Sequence, residues 1–208
     1  MRRRTGVTSG SSRPRVARRP SSLPTDEELI ALFRDGDPSA FEELVRRHEQ
    51  RIYNLCLRML GKPEDARDAT QETFLAALRK LSAFRGDSRF STWLHRVAVN
   101  ACYDTLRRRQ RRPEEALPEE PGPAPGDLAE SAAEAVDVRQ ALLRIPEDFR
   151  AVLILHDVQD VGYEEIAEIL GVPVGTVKSR LHRGRVAMGQ LLQGTHGPSQ
   201  PSEGKMEP

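Results

Sequence analysis

Between Thr176 and Arg185 the sequence TVKSRLHRGR carries Lys178, Ser179, Arg180, His182, Arg183 and Arg185 with no acid among them. Such side chains along one helix hold phosphates by charge and meet base edges by hydrogen bonds, which is binding chemistry rather than catalysis. A second concentration lies upstream, where Phe84, Arg85, Ser88, Arg89, Phe90 and Trp93 mix rings with guanidinium groups. Arg96, Asn100, Tyr103 and Arg107 follow at helical spacing. Rings stack on an unpaired base while arginines hold its backbone, so this mixture suits a single strand. Taken singly, the three aromatics read equally well as core; loop and helix together favour strand contact. A third group, Asp65, Asp68, Gln71 and Glu72, shares the face of a helical pattern opposite its apolar stripe and reads as acidic, outward-facing surface.

Residues that would support catalysis do not converge. The sequence has no phosphate-loop glycine pattern, and His48, His95, His156 and His182 are scattered. Cys56 and Cys102 are far apart, without CxxC spacing, and fall on or beside apolar stripes. They read as small buried hydrophobes, not as a disulfide, a zinc site or a redox pair. The expectation is therefore no catalytic residue, no metal, no cofactor and no small-molecule substrate.

The elements that must position these groups are all helical. Thr25 and Glu28 form a capping-box pattern at the start of a first helix, and Asp37-Pro38 opens another. Phe41, Val45, Ile52, Cys56 and Met59, widened by Leu44, Leu55 and Leu60, give a core stripe that Gly61 stops. Pro63 opens a third helix with Ala66, Thr70, Phe74, Ala77, Leu78 and Leu81 inward. Ser91 reads as the N-cap of a fourth, buried through Leu94, Val97, Ala98 and Ala101. Residues 25–112 thus form one helical domain.

Residues 113–133 are acidic and rich in Pro and Gly, the composition of a flexible linker. A second capping box, Ser131 with Glu134, and Pro146 start further helices of a smaller domain, 134–193. Within it Ile166, Ala167 and Leu170 face inward, Gly171 takes the tight turn, and Val172 and Val174 plug the angle. Thr176 caps a second helix pinned by Val177 and Leu181, the layout of a helix-turn-helix. Gly184 inside that helix marks either a close approach or a fraying end. The fold class is all-α, with two small helical domains joined by a linker. Residues 1–24, basic through Arg2, Arg3, Arg4, Arg13, Arg15, Arg18 and Arg19, and residues 194–208 read as disordered. No window approaches the roughly 20 apolar residues of a membrane span, so a cytoplasmic protein without membrane insertion is expected.

Three stretches in order, DATQETFLAALRKL, FRGDSRFSTWLHRVAVNACYDTLRR and YEEIAEILGVPVGTVKSRLHRGR, resemble the extracytoplasmic-function sigma factors of bacterial RNA polymerase. The resemblance covers about residues 25–112 and 134–192, and three ordered motifs make it far more specific than a lone helix-turn-helix. It implies that Asp68 and Gln71, with Asp65 and Glu72, dock on the clamp helices of the polymerase's largest subunit. It also implies contact with the polymerase flap. Phe84, Arg85, Ser88, Arg89, Trp93, Arg96, Asn100, Tyr103 and Arg107 would read the promoter element about ten bases upstream as melted single strand. Thr176, Lys178, Ser179, Arg180, His182, Arg183 and Arg185 would read the element about thirty-five bases upstream as duplex. Opening would draw on binding energy, since duplex DNA cannot offer an extruded base. An anti-sigma factor and a stress- or signal-responsive set of promoters are further implications. The linker would thread the active-site cleft and RNA exit path, or serve as an inert spacer. The basic arm lies outside the family pattern.

Two rival readings differ in class. A stand-alone helix-turn-helix regulator would bind a palindromic operator without polymerase, but the chain lacks an evident dimerisation helix. A nucleic-acid enzyme would need a metal-binding carboxylate cluster or a His/Cys dyad, and neither spacing is found.

Overall fold

A computed structural model describes residues 23–111 and 138–195. The expected arm, linker and tail, and the Ser131–Glu134 capping box, lie outside the described residues or nearly so. The described residues form helices α1 (Asp26–Arg34), α2 (Ser39–Leu60), α3 (Pro63–Lys80) and α4 (Phe90–Arg111), then α5 (138–144), α6 (Glu147–Leu153), α7 (Tyr163–Leu170) and α8 (Val174–Thr195). A 3-10 turn, Leu81–Ala83, follows α3, and a π-helical turn, Ile154–Val158, extends α6. No strand occurs among the described residues.

Local chemistry accounts for most boundaries. Thr25 Oγ1 accepts from the Glu28 amide at 3.2 Å while Glu28 Oε2 accepts from the Thr25 amide at 2.8 Å, completing the capping box of α1. Before α2, Asp37 Oδ1 accepts from the Ser39 amide at 2.9 Å, satisfying one of the donors a helix start leaves open. Gly61 ends α2 at φ 81° and Gly171 ends α7 at φ 66°, where a side chain would be strained. Asp26 ties α1 to α2, accepting from Arg47 Nη1 at 3.2 Å and lying 2.7 Å from His48 Nε2.

Helices α2, α3 and α4 pack as a bundle whose core includes Leu44, Ile52, Leu55, Met59, Ala66, Phe74, Ala77, Leu94 and Ala98. Thr70 and Thr73 are buried in α3 because their hydroxyls donate back to the carbonyls of Ala66 and Ala69, at 2.7 and 2.6 Å. Cys56 and Cys102 are fully buried, free, and in mutual hydrogen-bond contact between α2 and α4. The bond to Cys56, with burial, pushes the Cys102 thiol up, which keeps it protonated and unreactive.

Several expected positions differ. Leu78 is 40% exposed, and Phe41 and Val45 are only partly buried. Together with Tyr53, Phe74 and Leu75 they line an open groove of about 610 Å³ between α2 and α3, so this part of the apolar stripe faces outward. Val97 is half-buried, and Val99 and His95 take core places on α4 instead. Helix α4 begins at Phe90, with the Arg89 carbonyl accepting from the Trp93 amide, so Ser91 lies inside the first turn and is no cap. Likewise α8 begins at Val174: the Pro173 carbonyl accepts from the amides of Thr176 and Val177, which leaves Thr176 within the helix. That helix continues to Thr195, two residues past the expected limit.

The second body packs against the first, and buried residues of both form one cluster. Leu143 of α5 lies over Gly61, where a Cβ would stand 2.5 Å from Leu143 Cδ1. Arg150 of α6 is only 7% exposed and reaches across to α2, donating to the Met59 carbonyl at 2.5 Å and to those of Leu143 and Ile145 at 2.8 and 2.9 Å. Arg51 of α2 donates to Gln159 Oε1 at 2.8 Å, and Gln159 Nε2 returns a bond to the Arg51 carbonyl at 3.2 Å. A buried cation without a carboxylate partner is costly, and these carbonyls are what offset it.

Candidate nucleic-acid interface

The loop after α3 and the first turns of α4 bring the aromatic residues together. Ring centroids are 6.1 Å apart for Phe84–Phe90, 5.2 Å for Phe84–Trp93 and 5.7 Å for Phe90–Trp93. Phe90 is the buried root of this cluster, while Phe84 and Trp93 pack on it and stay partly exposed. The arrangement meets both sequence readings: one ring belongs to the core and two offer faces at its rim. Gly86, at φ 77°, turns the loop so that Arg85 and Arg89 are exposed and Ser88 half-exposed. Arg34 fastens the loop from below, its Nη2 donating to the Phe84 carbonyl and, at 3.5 Å, to that of Leu81. Nothing in the sequence singled out Arg34, because the contact joins residues fifty apart.

Along α4, Asn100 and Arg107 are exposed, the latter 3.2 Å from Asp104. Arg96 and Tyr103 are engaged by the second body. Arg96 Nε donates to the Glu168 carbonyl at 3.1 Å, and its Nη2 lies 3.5 Å from the Glu168 carboxylate. Tyr103 Oη donates to Asp148 Oδ1 at 3.4 Å, and burial together with the negative charge of Asp148 raises its pKa. Arg89 pairs with Glu165 at 3.6 Å, and Thr92 Oγ1 donates to the same carboxylate at 3.4 Å. At its far end α4 turns basic side chains back on α3, where Arg109 pairs with Asp65 and Arg108 lies 3.5 Å from Glu72. Asp68 and Gln71 remain exposed, and Gln71 borders the apolar groove. The four polar residues are thus split, Asp65 and Glu72 paired with arginines of α4 and Asp68 and Gln71 facing outward.

Helices α7 and α8 meet at the Gly171 turn, pinned by buried Ile166, Ile169, Val177 and Leu181. Lys178, Ser179, His182, Arg183 and Arg185 are exposed along α8, and Thr176 is half-buried. Lys178 Nζ sits 5.6 Å from the Tyr163 ring centroid. Arg180 departs from this exposed set: its Nη2 donates to Asp148 at 2.6 Å, which draws it toward α6. Arg185 donates to both Asp157 oxygens, at 3.1 and 2.5 Å, and that hydrogen-bonded carboxylate raises its pKa. Gly184 is a close approach, not a fraying end, since a Cβ there would stand 3.0 Å from Leu153 and 3.4 Å from the Phe149 carbonyl. No group of His, Cys, Asp and Glu fit to hold a metal ion occurs among the described residues. No helix there is long and apolar enough to cross a membrane.

Two family models match separate parts of the chain. Sigma-70 region 2 matches residues 44–112 and Sigma-70 region 4 matches residues 135–188. The ECF RNA polymerase sigma factor SigM of Mycobacterium tuberculosis is 40% identical, over 81% of this chain and 85% of its own length. SigW of Bacillus subtilis is 35% identical, over 80% and 96%. Among solved structures, CnrH in complex with the cytosolic domain of CnrY superposes with TM-score 0.63 at 27% identity, covering 81% of this chain and 97% of that one. RpoE in complex with the anti-sigma factor NepR from Bartonella quintana gives TM-score 0.63 at 25% identity, covering 74% and 96%. With its two bodies matching sigma regions 2 and 4 and relatives of 35–40% identity over most of its length, this chain belongs to the extracytoplasmic-function sigma factors, which are transcription regulators.

Proposed function

We propose that the chain directs core RNA polymerase to promoters by two separate grips on DNA, with residues 25–112 and 134–193 as the two working domains. The observation that carries this is the difference between the two basic surfaces. One pairs half-exposed rings, Phe84 and Trp93, with Arg85 and Arg89 on a loop, and the other is an exposed basic helix face without rings. The first fits an extruded base of the element about ten bases upstream, with Arg96, Asn100, Tyr103 and Arg107 along the strand. The second fits duplex at the element about thirty-five bases upstream, read by Lys178, Ser179, His182 and Arg183 with Thr176 and Arg185 beside them. Arg180, held by Asp148, acts on that surface by fixing α8 against α6.

Gln71, which lines the apolar groove with Phe41, Val45, Tyr53, Leu75 and Leu78, and exposed Asp68 on the same helix form the docking face for the polymerase clamp helices. A polar rim around an apolar centre is the usual anatomy of such an interface. The complex of RpoE with the anti-sigma factor NepR supports an anti-sigma factor as the regulator of this chain too. The site of action is the cytoplasm, where promoter DNA and polymerase meet.

Runoff transcription with core polymerase and mapping of start sites tests the reading. Lys178→Ala with Arg183→Ala is expected to lower promoter-specific transcripts at least tenfold while polymerase binding is kept. Asp68→Ala with Gln71→Ala is expected to lower polymerase binding itself. Polymerase-independent, tight binding to a palindromic site would favour a stand-alone regulator instead.

A further inference from the structure

Helix α1 reaches the aromatic cluster of the loop after α3 from both of its ends. At its start, Asp26 lies 2.7 Å from His48 Nε2, and the His48 ring meets Phe90, the root of the cluster, edge-on with centroids 5.3 Å apart. At its end, Arg34 Nη2 donates to the Phe84 carbonyl and, at 3.5 Å, to the Leu81 carbonyl. The Leu81 carbonyl also accepts from the Phe84 amide at 3.2 Å, closing the 3-10 turn, so one guanidinium clasps both ends of that turn. Helix α1 is itself well seated: Leu29 and Ile30 are buried, and the Phe33 ring lies 5.8 Å from that of Phe41.

Phe84 is where the chain leaves the body. Two residues on, Gly86 turns at φ 77° with nothing within 4 Å of where a Cβ would stand, so the loop projects clear of its surroundings there. The direction of the Phe84 peptide sets where its side chain starts, and therefore how its ring stands against Trp93, 5.2 Å away. Arg34 is exposed, and so is its bond to the Phe84 carbonyl. Water would satisfy that oxygen in its place, so the bond adds little to folding. Its effect is geometric: a ring already fixed loses less freedom when a base arrives, and that saving appears as tighter capture.

We propose that Arg34 is a positioning residue for promoter opening: by holding the Phe84 and Leu81 carbonyls it sets the Phe84 and Trp93 rings where they take an extruded base. The proposal rests on the reading of this loop as the strand contact, and its test keeps the two apart. Holoenzyme assembled from core polymerase and the full chain is followed on a promoter mapped by runoff transcription. Initial binding and the rate of opening are measured with each nucleotide of the element about ten bases upstream replaced in turn by an abasic one. In the parent, one abasic position is expected to slow opening at least tenfold, and Phe84→Ala to remove that sensitivity. Arg34→Met keeps the stem and removes the donors. It is expected to slow opening on the intact promoter at least fivefold, to cut the penalty at that same position to under twofold, and to leave polymerase affinity and initial binding within twofold. Arg34→Lys, which can still donate to a carbonyl, is expected to recover part of both effects, and it decides the matter if circular dichroism finds Arg34→Met unfolded. In the free chain, acrylamide quenching of Trp93, the single tryptophan of the sequence, is expected to rise with Arg34→Met. Unchanged quenching, or a full abasic penalty in Arg34→Met, overturns the positioning role. So does lost polymerase affinity, which would make Arg34 a general prop of the fold, or a weaker salt dependence of promoter binding, which would make it a phosphate contact. If no abasic position matters in the parent, or Phe84→Ala leaves the sensitivity unchanged, the strand-contact reading of the loop falls and Arg34 falls with it.

Discussion

His95 shows how a residue that looks functional in sequence can be structural. It is 4% exposed, and burial, then the nearby positive charges of Arg51 and His48, push its pKa down to about 4. A histidine held neutral in the fold binds fewer protons than the same residue in the unfolded chain. Its contribution is therefore present above pH 6.5 and is lost as pH falls toward 4. Unfolding free energy is expected to drop by up to about 3 kcal/mol over that window, and His95→Phe to flatten the slope, as read by urea denaturation at several pH values. Glu43, held down to about 2 by hydrogen bonds from Arg46 and Arg47, titrates in a separate window, below pH 4.5. The two are distinguishable in one titration.

At the scale of elements, two helix ends that both take a positive φ at glycine carry different burdens. Gly171 has φ 66° with nothing near its absent Cβ, so Gly171→Ala meets only the left-handed backbone cost, about 1 kcal/mol. Gly61, at φ 81° and ψ −33°, lies outside the left-handed helical region and also receives Leu143 of α5, so Gly61→Ala adds a clash to a backbone cost at least as large. The loss is expected to be larger by about 1–3 kcal/mol, and Leu143→Ala in the same chain to restore part of it. Equilibrium unfolding of the four chains of that cycle measures the coupling. A purely local role for Gly61 would show as strict additivity.

Across the whole molecule, Arg150 joins the bodies from within. Its guanidinium serves carbonyls of α2 and of its own body, so Arg150→Met leaves the Met59, Leu143 and Ile145 carbonyls without that donor. A stability loss of about 3 kcal/mol is expected, with the melting transition splitting where the bodies cease to unfold together, as seen by calorimetry.

The helices, the capping box at Thr25, the turn at Gly171 and the basic face of α8 were legible in the sequence because each depends on neighbours within a few residues. So was the family, through three ordered motifs. What local pattern could not show was which side of an apolar stripe is covered: Leu78, Phe41 and Val45 read as core and instead line a groove, because burial depends on whether another helix arrives. Nor could it show that Asp65, Arg96, Tyr103 and Arg180 are already engaged, by partners between 32 and 72 residues away. Periodicity and capping chemistry alone determined an all-helical chain with two basic surfaces. Only the tertiary structure decided which of those charges face solvent and which face each other, since ion pairing across a fold is set by where helices pack and not by where residues fall along the chain.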